Sequence, residues 1–262
     1  MPVHDARVLG VIPARLGSER LPRKPLYPLA GRPLIEWVWL RVSPMNVADT
    51  WVVATDSPEV AAACKAFGAT VVLTDAAHPS GTDRVAEVAA LEEYADFGII
   101  VNVQGDEPFI DEAHVRESIE QVRTGWDIGT VATPLGSSAG WRDPSVVKVT
   151  RRSDGAALYF SRAPIPFSRD GEPDSEALAS ALYLGHVGVY AYTRSALMRW
   201  VALPPHALEQ TERLEQLRPL AAGLTIGVGV VARSERGVDT MADADRAERR
   251  LRALAWESPR SG

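Results

Sequence analysis

The sequence predicts an α/β protein, a three-layer structure with a mostly parallel sheet flanked by helices. Three observations carry this expectation. Short apolar runs recur along the first half of the chain, at residues 8–12, 51–54, 70–73 and 99–103. Segments of helical length separate them, with helix-starting signals ahead of several and Gly or Pro at the junctions. Strands joined by helices of this length form right-handed βαβ units, and such units build a parallel sheet.

Val8, Leu9, Val11 and Ile12 form the first buried strand, and Leu34, Trp37 and Val38, apolar at i, i+3 and i+4, lie on one face of a helix. A long loop joins them. Trp51-Val52-Val53-Ala54 is the second strand; after Thr55-Asp56, Ser57-Pro58 supplies an N-cap and a proline at the first position of a helix reaching about residue 67. Gly68 closes that helix. Residues 70–73 form the third strand, and Ser80-Gly81-Thr82-Asp83 fits a capping box ahead of Val85, Val88 and Ala89. Ile99-Ile100-Val101-Asn102-Val103 is the most strand-like run of all, and a helix resumes from Asp111.

Past Pro134 the alternation stops. Strand-like pieces at 146–150, 157–160 and 187–192 surround a polar loop at 168–180, so residues 144–192 read as an antiparallel insertion. No linker composition brackets it, and residues 1–262 are therefore expected to form a single domain. Helices return at 194–201 and 209–222, followed by a strand at 224–232. In the last helix Ala247, Leu251 and Leu254 share a stripe, and the surrounding charges form a solvated face.

Bulk composition narrows the function classes. Hydrophobic content of 46% with 24% charged residues is that of a soluble globular protein. A net charge of −6 argues against general nucleic-acid or membrane-surface binding, which calls for a basic field. Local positive charge therefore serves a small anion. The lone cysteine, Cys64, is expected in the core, with neither a disulfide nor a zinc site. The N-terminus lacks a signal-peptide pattern, and no apolar run approaches the roughly 18 residues of a bilayer span, so a cytoplasmic location is expected.

The loop after the first strand carries Arg15, Arg20 and Lys24 ahead of a helix. A cationic loop at the carboxyl end of a strand faces the crevice where open sheets bind ligands, and with free backbone amides it suits a polyphosphate. Lys occurs only at 24, 65 and 148 among 28 Lys plus Arg, which hints that Lys24 is needed as a compact ammonium. Val103-Gln104-Gly105-Asp106-Glu107-Pro108 ends the strongest strand, where a Gly followed by an acid suits a metal; a turn capping the next helix is the ordinary alternative. Gly237-Val238-Asp239-Thr240 offers a second carboxylate, although Asp and Thr are equally good N-caps. Brought to adjacent strand ends, Asp106 and Asp239 would hold a divalent cation, and magnesium favours one or two carboxylates completed by phosphate oxygens and water. P-loop, G-x-G-x-x-G, G-x-S-x-G and H-E-x-x-H motifs are all absent.

Pro13-Ala14-Arg15, Arg20-Leu21-Pro22, Lys24-Pro25-Leu26, Ala54-Thr55-Asp56, His78, Ser80-Gly81-Thr82-Asp83-Arg84 and Asn102-Val103-Gln104-Gly105-Asp106-Glu107-Pro108 resemble the 3-deoxy-manno-octulosonate cytidylyltransferase family, the CMP-Kdo synthetases. So do Ala157-Leu158-Tyr159-Phe160-Ser161-Arg162, His186 with Gly188 and Tyr190, Leu214-Glu215-Gln216-Leu217-Arg218, and Gly237-Val238-Asp239-Thr240. The matches run in order through almost the whole chain.

This resemblance implies a nucleotidyltransferase-like fold and a homodimer formed through the insertion. It implies that the anomeric hydroxyl of a 3-deoxy-2-ulosonic acid attacks the α-phosphorus of CTP, releasing pyrophosphate. By the family pattern Arg15 and Lys24 bind triphosphate; Pro13, Ala14, Arg20, Ser80, Gly81, Arg84 and Gln104 line the nucleotide site; and Asp106 and Asp239 hold Mg2+. Arg15, Lys24, Asp106 and Asp239 form the implied catalytic set, and Arg162, His186, Tyr190, Glu215 and Gln216 lie on the sugar side.

The chain departs from the pattern in places. Arg23 stands where the family usually has Gly, Glu209-Gln210-Thr211-Glu212-Arg213 replaces a segment usually containing His and apolar residues, and Ala191 replaces a usual Gly. An acceptor such as a sialic-acid-like ulosonate is therefore an alternative. A catalytically inactive sugar-nucleotide-binding protein is a second, against which the joint retention of Lys24, Asp106 and Asp239 speaks. A metal-dependent glycosyltransferase would want a D-x-D-like motif where this chain has Gly105-Asp106-Glu107.

Overall fold

A computed structural model describes residues 5–17 and 20–257; Ser18 and Glu19 of the cationic loop lie outside them. The chain opens with β1 (Arg7–Pro13), then the small hairpin β2 (Pro28–Leu29) and β3 (Arg32–Pro33), and α1 (Leu34–Val42). Next come β4 (Thr50–Thr55), α2 (Pro58–Ala66), β5 (Val71–Leu73), α3 (Gly81–Ala90), β6 (Phe97–Val103) and α4 (Glu112–Arg123). β7 (Ile128–Pro134), α5 (Ser138–Arg142), β8 (Lys148–Arg151), β9 (Ala157–Ser161), α6 (Ser175–Leu178) and β10 (Leu184–Thr193) follow. The chain continues through α7 (Arg194–Ala202), α8 (Ala207–Glu212), α9 (Leu217–Ala221), β11 (Ile226–Val230) and α10 (Met241–Glu257).

Among the described residues the main sheet runs β11-β7-β10-β6-β1-β4-β5, with β8 and β9 branching from β10. β1 pairs in parallel with β4 and β6, as β4 does with β5 and β11 with β7. The expected three layers are present. Along β1 the side chains alternate faces: Leu9 and Val11 meet Val85, Val88 and Trp200 of α3 and α7, whereas Val8 and Ile12 meet Val38, Val60 and Val115 of α1, α2 and α4. α10 packs separately on Leu21, Leu29 and Leu34, so Ala247 and Leu251 are buried as the stripe predicts.

Helix signals are met atom by atom. Ser57 accepts from Val60 N at 3.3 Å, and Ser80 Oγ accepts from Thr82 N at 3.1 Å and Asp83 N at 3.3 Å while its hydroxyl donates to Asp83 at 2.7 Å. Cys64 is buried in the core.

The second half differs from the sequence reading in three ways. β10 is longer than residues 187–192 and runs antiparallel between β6 and β7, in the middle of the main sheet. β7 escapes the periodicity rules because Gly129 and Thr130 interrupt its apolar run; a Cβ on Gly129 would lie 1.9 Å from Ser118 O of α4, so close helix-on-strand packing requires the glycine. Residues 209–222 do not form one helix. Arg213 takes a left-handed backbone (φ 55°) that ends α8, and α9 starts four residues later.

Candidate active site

A cleft of about 1440 Å³ opens where β1 and β6 end and α3 begins. Open α/β sheets place their ligand crevice at the carboxyl ends of parallel strands. Pro13, Ala14, Arg15, Arg20 and Lys24 line it from the β1 loop, Ser80, Gly81 and Arg84 from the start of α3, and Gln104 and Asp106 from the end of β6. Two chain crossings let these segments touch. A Cβ on Gly105 would stand 2.7 Å from Pro13 O, and one on Gly237 would stand 2.8 Å from Glu107 Oε1, so both positions need glycine for the approach. Val238 N then donates to Asp106 O at 2.8 Å, which delivers Asp239 beside Asp106 although the two are far apart in sequence.

The two carboxylates converge on one ammonium. Lys24 Nζ contacts Asp106 and lies 3.1 Å from Asp239 Oδ1, while Arg20 Nη1 lies 2.5 Å from Asp239 Oδ2. Burial opposes the charge on Lys24, but Asp106 and Asp239 together outweigh it and hold its pKa above the ordinary lysine value. Neither carboxylate serves as a helix cap. Asp111 caps α4 by accepting from Ala113 N at 3.1 Å, and at α10 the Thr240 hydroxyl accepts from Asp243 N at 3.2 Å while Asp243 accepts from Thr240 N at 2.9 Å. The capping alternatives for Asp106 and Asp239 are thereby excluded, and both point their charge at the cleft.

Charge on the remaining cations is unevenly committed. Arg84, which is buried, donates to Asp56 at 2.9 Å and to Thr74, so it ties α3 to the end of β4. Arg15 is exposed to the cleft and has no ion-pair partner among the described residues. Glu107, beside Asp106, has its pKa driven well upward by burial and then by the Asp106 carboxylate.

The cytidylyltransferase family model matches residues 9–226. A 3-deoxy-manno-octulosonate cytidylyltransferase of Gemmatimonas aurantiaca is 55% identical over 241 residues, covering 92% of this chain and 92% of that protein. The chain belongs to the 3-deoxy-manno-octulosonate cytidylyltransferase family. A relative of that name from Actinobacillus pleuropneumoniae is 44% identical over 245 residues, covering 92% of this chain and 98% of the other. Among solved structures, a CMP:2-keto-3-deoxy-manno-octonic acid synthetase in complex with CTP superimposes with a TM-score of 0.85 at 39% identity, covering 95% of this chain and 100% of that one.

The residues expected on the sugar side divide between the cleft and the packing behind it. Glu215 lines the cleft and accepts from Thr82 Oγ1 at 3.1 Å, with burial raising its pKa. His186, Tyr190, Gln216 and Arg162 are not part of the cleft lining. His186 Nε2 lies 2.9 Å from Thr130 Oγ1, whose own proton goes to Val189 O at 2.7 Å, so Nε2 is the protonated nitrogen. Burial pushes its pKa down to about 3, and its ring packs on Phe160 and Tyr190. Gln216 is buried at the start of α9. Arg162 Nε donates to Glu212 O at 2.8 Å and Nη1 to Pro144 O at 3.0 Å, which makes its guanidinium a clamp on the turn after α8.

Four cleft residues of that turn region, Glu209, Gln210, Arg213 and Leu214, were not expected in the site. The departure at 209–213, where the family usually has His and apolar residues, was the one signal that could have found them. Arg23, the other departure, has a left-handed backbone with φ 55°, a conformation that glycine adopts freely. Its guanidinium pairs with Glu59 at the start of α2. The usual Gly thus fits a backbone requirement, and the arginine meets it with an added surface ion pair.

Proposed function

We propose that this protein is a magnesium-dependent cytidylyltransferase that joins CTP to 3-deoxy-manno-octulosonate, giving the CMP-sugar and pyrophosphate in the cytoplasm. The carrying observation is the meeting of Lys24, Asp106 and Asp239 at the mouth of the parallel strands. A spot where one ammonium touches two carboxylates favours concentrated positive charge. Two carboxylates are also the donor set that Mg2+ accepts when phosphate oxygens and water complete its shell. Asp106 and Asp239 would hold the ion. Bound there, it supplies charge against the triphosphate and acidifies the attacking hydroxyl.

In this reading Arg15 and Lys24 grip the triphosphate, with Pro13, Ala14, Arg20, Ser80, Gly81, Arg84 and Gln104 around the nucleotide. The oxygen of the sugar's anomeric hydroxyl bonds to the α-phosphorus as the bond to the bridging α–β oxygen breaks. Pyrophosphate leaves with that electron pair, and the hydroxyl proton passes to solvent. Placement and charge neutralisation suffice for such a transfer, without a covalent enzyme intermediate. Glu215, with Arg162, His186, Tyr190 and Gln216, shapes the acceptor side. A homodimer formed through the insertion agrees with the exposure there of Leu158 (56%), Phe167 (83%) and Leu182 (59%).

Pyrophosphate release across the four ribonucleoside triphosphates and a panel of ulosonic and sialic acids tests the reading. CTP with 3-deoxy-manno-octulosonate is expected to turn over, and only with a divalent cation present. Release with a sialic acid alone would move the acceptor, and no release with any pair would remove the enzyme reading.

A further inference from the structure

Of the cations on the wall built by α8 and α9, only one faces the cleft without an ion pair to a described residue. Arg218 grips Glu209 with two bonds, Nε to Oε2 at 2.7 Å and a second to Oε1. Arg213 lines the cleft, is exposed, and has no hydrogen-bond or ion-pair partner for its guanidinium among the described residues. Its placement is enforced. A non-glycine residue at φ 55° is disfavoured by the contact of its Cβ with the backbone, so the conformation there must be held by its surroundings. Arg162 donates to the carbonyls of Glu212 at 2.8 Å and Arg213 at 3.4 Å, and the Glu212 carboxylate accepts from Ser161 Oγ at 2.6 Å and Arg162 N at 2.9 Å. These bonds fasten the turn to the end of β9 and present the Arg213 side chain to the cleft.

On the β1 side, Lys24 and Arg20 are paired with Asp106 and Asp239, and Arg84 with Asp56. Arg15 and Arg213 are the two lining arginines without an ion pair to a described residue, and they come from separate elements. The proposed reaction joins two anions. Arg15 lines the cleft from the β1 loop, where the proposed function puts the triphosphate; Arg213 stands two residues from Glu215, whose negative charge would repel an acidic acceptor.

We infer that Arg213 is a specificity-determining residue that binds the carboxylate of the acceptor sugar acid. The inference rests on the cytidylyltransferase reading and extends it to a residue outside the family's usual pattern. A planar guanidinium binds a carboxylate through two parallel bonds, which an apolar residue at this position cannot provide.

Steady-state pyrophosphate release by the full-length protein, with CTP and 3-deoxy-manno-octulosonate varied in turn, tests it on Arg213→Leu, Arg213→Gly and Arg213→Lys. Glycine accepts φ 55° without strain, so Arg213→Gly keeps the turn while removing the charge. In the leucine and glycine variants the KM for the sugar acid is expected to rise at least about tenfold with the KM for CTP unchanged, the loss of one charge-assisted contact. Arg213→Lys is expected to recover part of it. An unchanged sugar KM in a wild-type-active enzyme overturns the assignment while leaving the proposed function standing. A rise in the KM for CTP instead assigns Arg213 to the triphosphate and overturns it too. No turnover by the wild-type protein with any acceptor removes both.

Discussion

The two walls of the cleft are assembled differently. The β1–α3–β6 wall is made of strand ends and a helix start that the parallel sheet brings together from three separate stretches of sequence, and most of its charges are already paired. The α8–α9 wall is made of short helices around a left-handed residue, held by Arg162, Glu212 and the Arg218–Glu209 pair, and it leaves Arg213 unpaired. The first wall is preorganised around charge that cancels, which fits a ligand brought in with its own counter-ion. The second presents one uncancelled charge on a fastened turn, which fits reading a single group. Under the proposed roles, polyphosphate handling and acceptor choice fall on structures that can vary independently.

The sharpest way to break this contrast is Lys24→Met. It removes the ammonium from between two carboxylates and is expected to lower kcat/KM by about 10³-fold, the order expected for losing a preorganised charge in a phosphoryl-transfer site. A variant retaining more than a tenth of wild-type turnover would deny that the β1 wall carries the chemistry. Asp239→Asn is expected to lower turnover about 10²-fold by weakening the proposed metal site. Because Thr240 and Asp243 cap α10, its circular dichroism and melting temperature should match wild type. A lost α10 signal would return Asp239 to a structural role.

The pH response separates wall from packing. His186 has a folded-state pKa of about 3, below the roughly 6.5 of an unfolded histidine. Its contribution is complete above that unfolded value and is lost as pH falls toward 3, since only the unfolded chain takes up the proton. Melting temperatures between pH 7 and pH 4 should therefore fall less steeply for His186→Gln than for wild type, and equal slopes would show that the ring titrates freely. The smallest effect belongs to Arg23→Gly. Relief of the left-handed backbone and loss of an exposed pair with Glu59 nearly offset, so denaturant unfolding should change by no more than about 1 kcal/mol in either direction.

Legibility in the sequence follows the same division. The β1 wall was readable because its chemistry sits in contiguous motifs behind apolar strands, as with Lys24 after β1 and Asp106 after β6. Asp239 was ambiguous until the cap of α10 could be assigned to Thr240 and Asp243, a distinction that depends on hydrogen bonds rather than residue types. The break at Arg213 was hidden because Glu, Gln, Leu and Arg are good helix formers, and bonds from Arg162, about fifty residues earlier, override that local preference. β7 was hidden by Gly129, whose value lies in contact with α4. Lysine scarcity, a soft clue, proved informative twice: Lys24 bridges two carboxylates, and the buried Lys148 Nζ is wrapped by the carbonyls of Asp143, Val146 and Arg162 at 2.6–2.8 Å. In both places one ammonium bonds to two or three oxygens at once, which suits a compact point charge with three donors.

The bond from Val238 N to Asp106 O has a consequence in time. Synthesis proceeds from the N-terminus, so the parallel core with its cationic loop and Asp106 is made long before the segment bearing Asp239. A nascent chain has the scaffold and the cationic loop first, and the second carboxylate docks only after the segment beyond β11 has emerged. The segment that carries Asp239 thus joins the cleft after both of its walls have been made, and every strand of the main sheet precedes it.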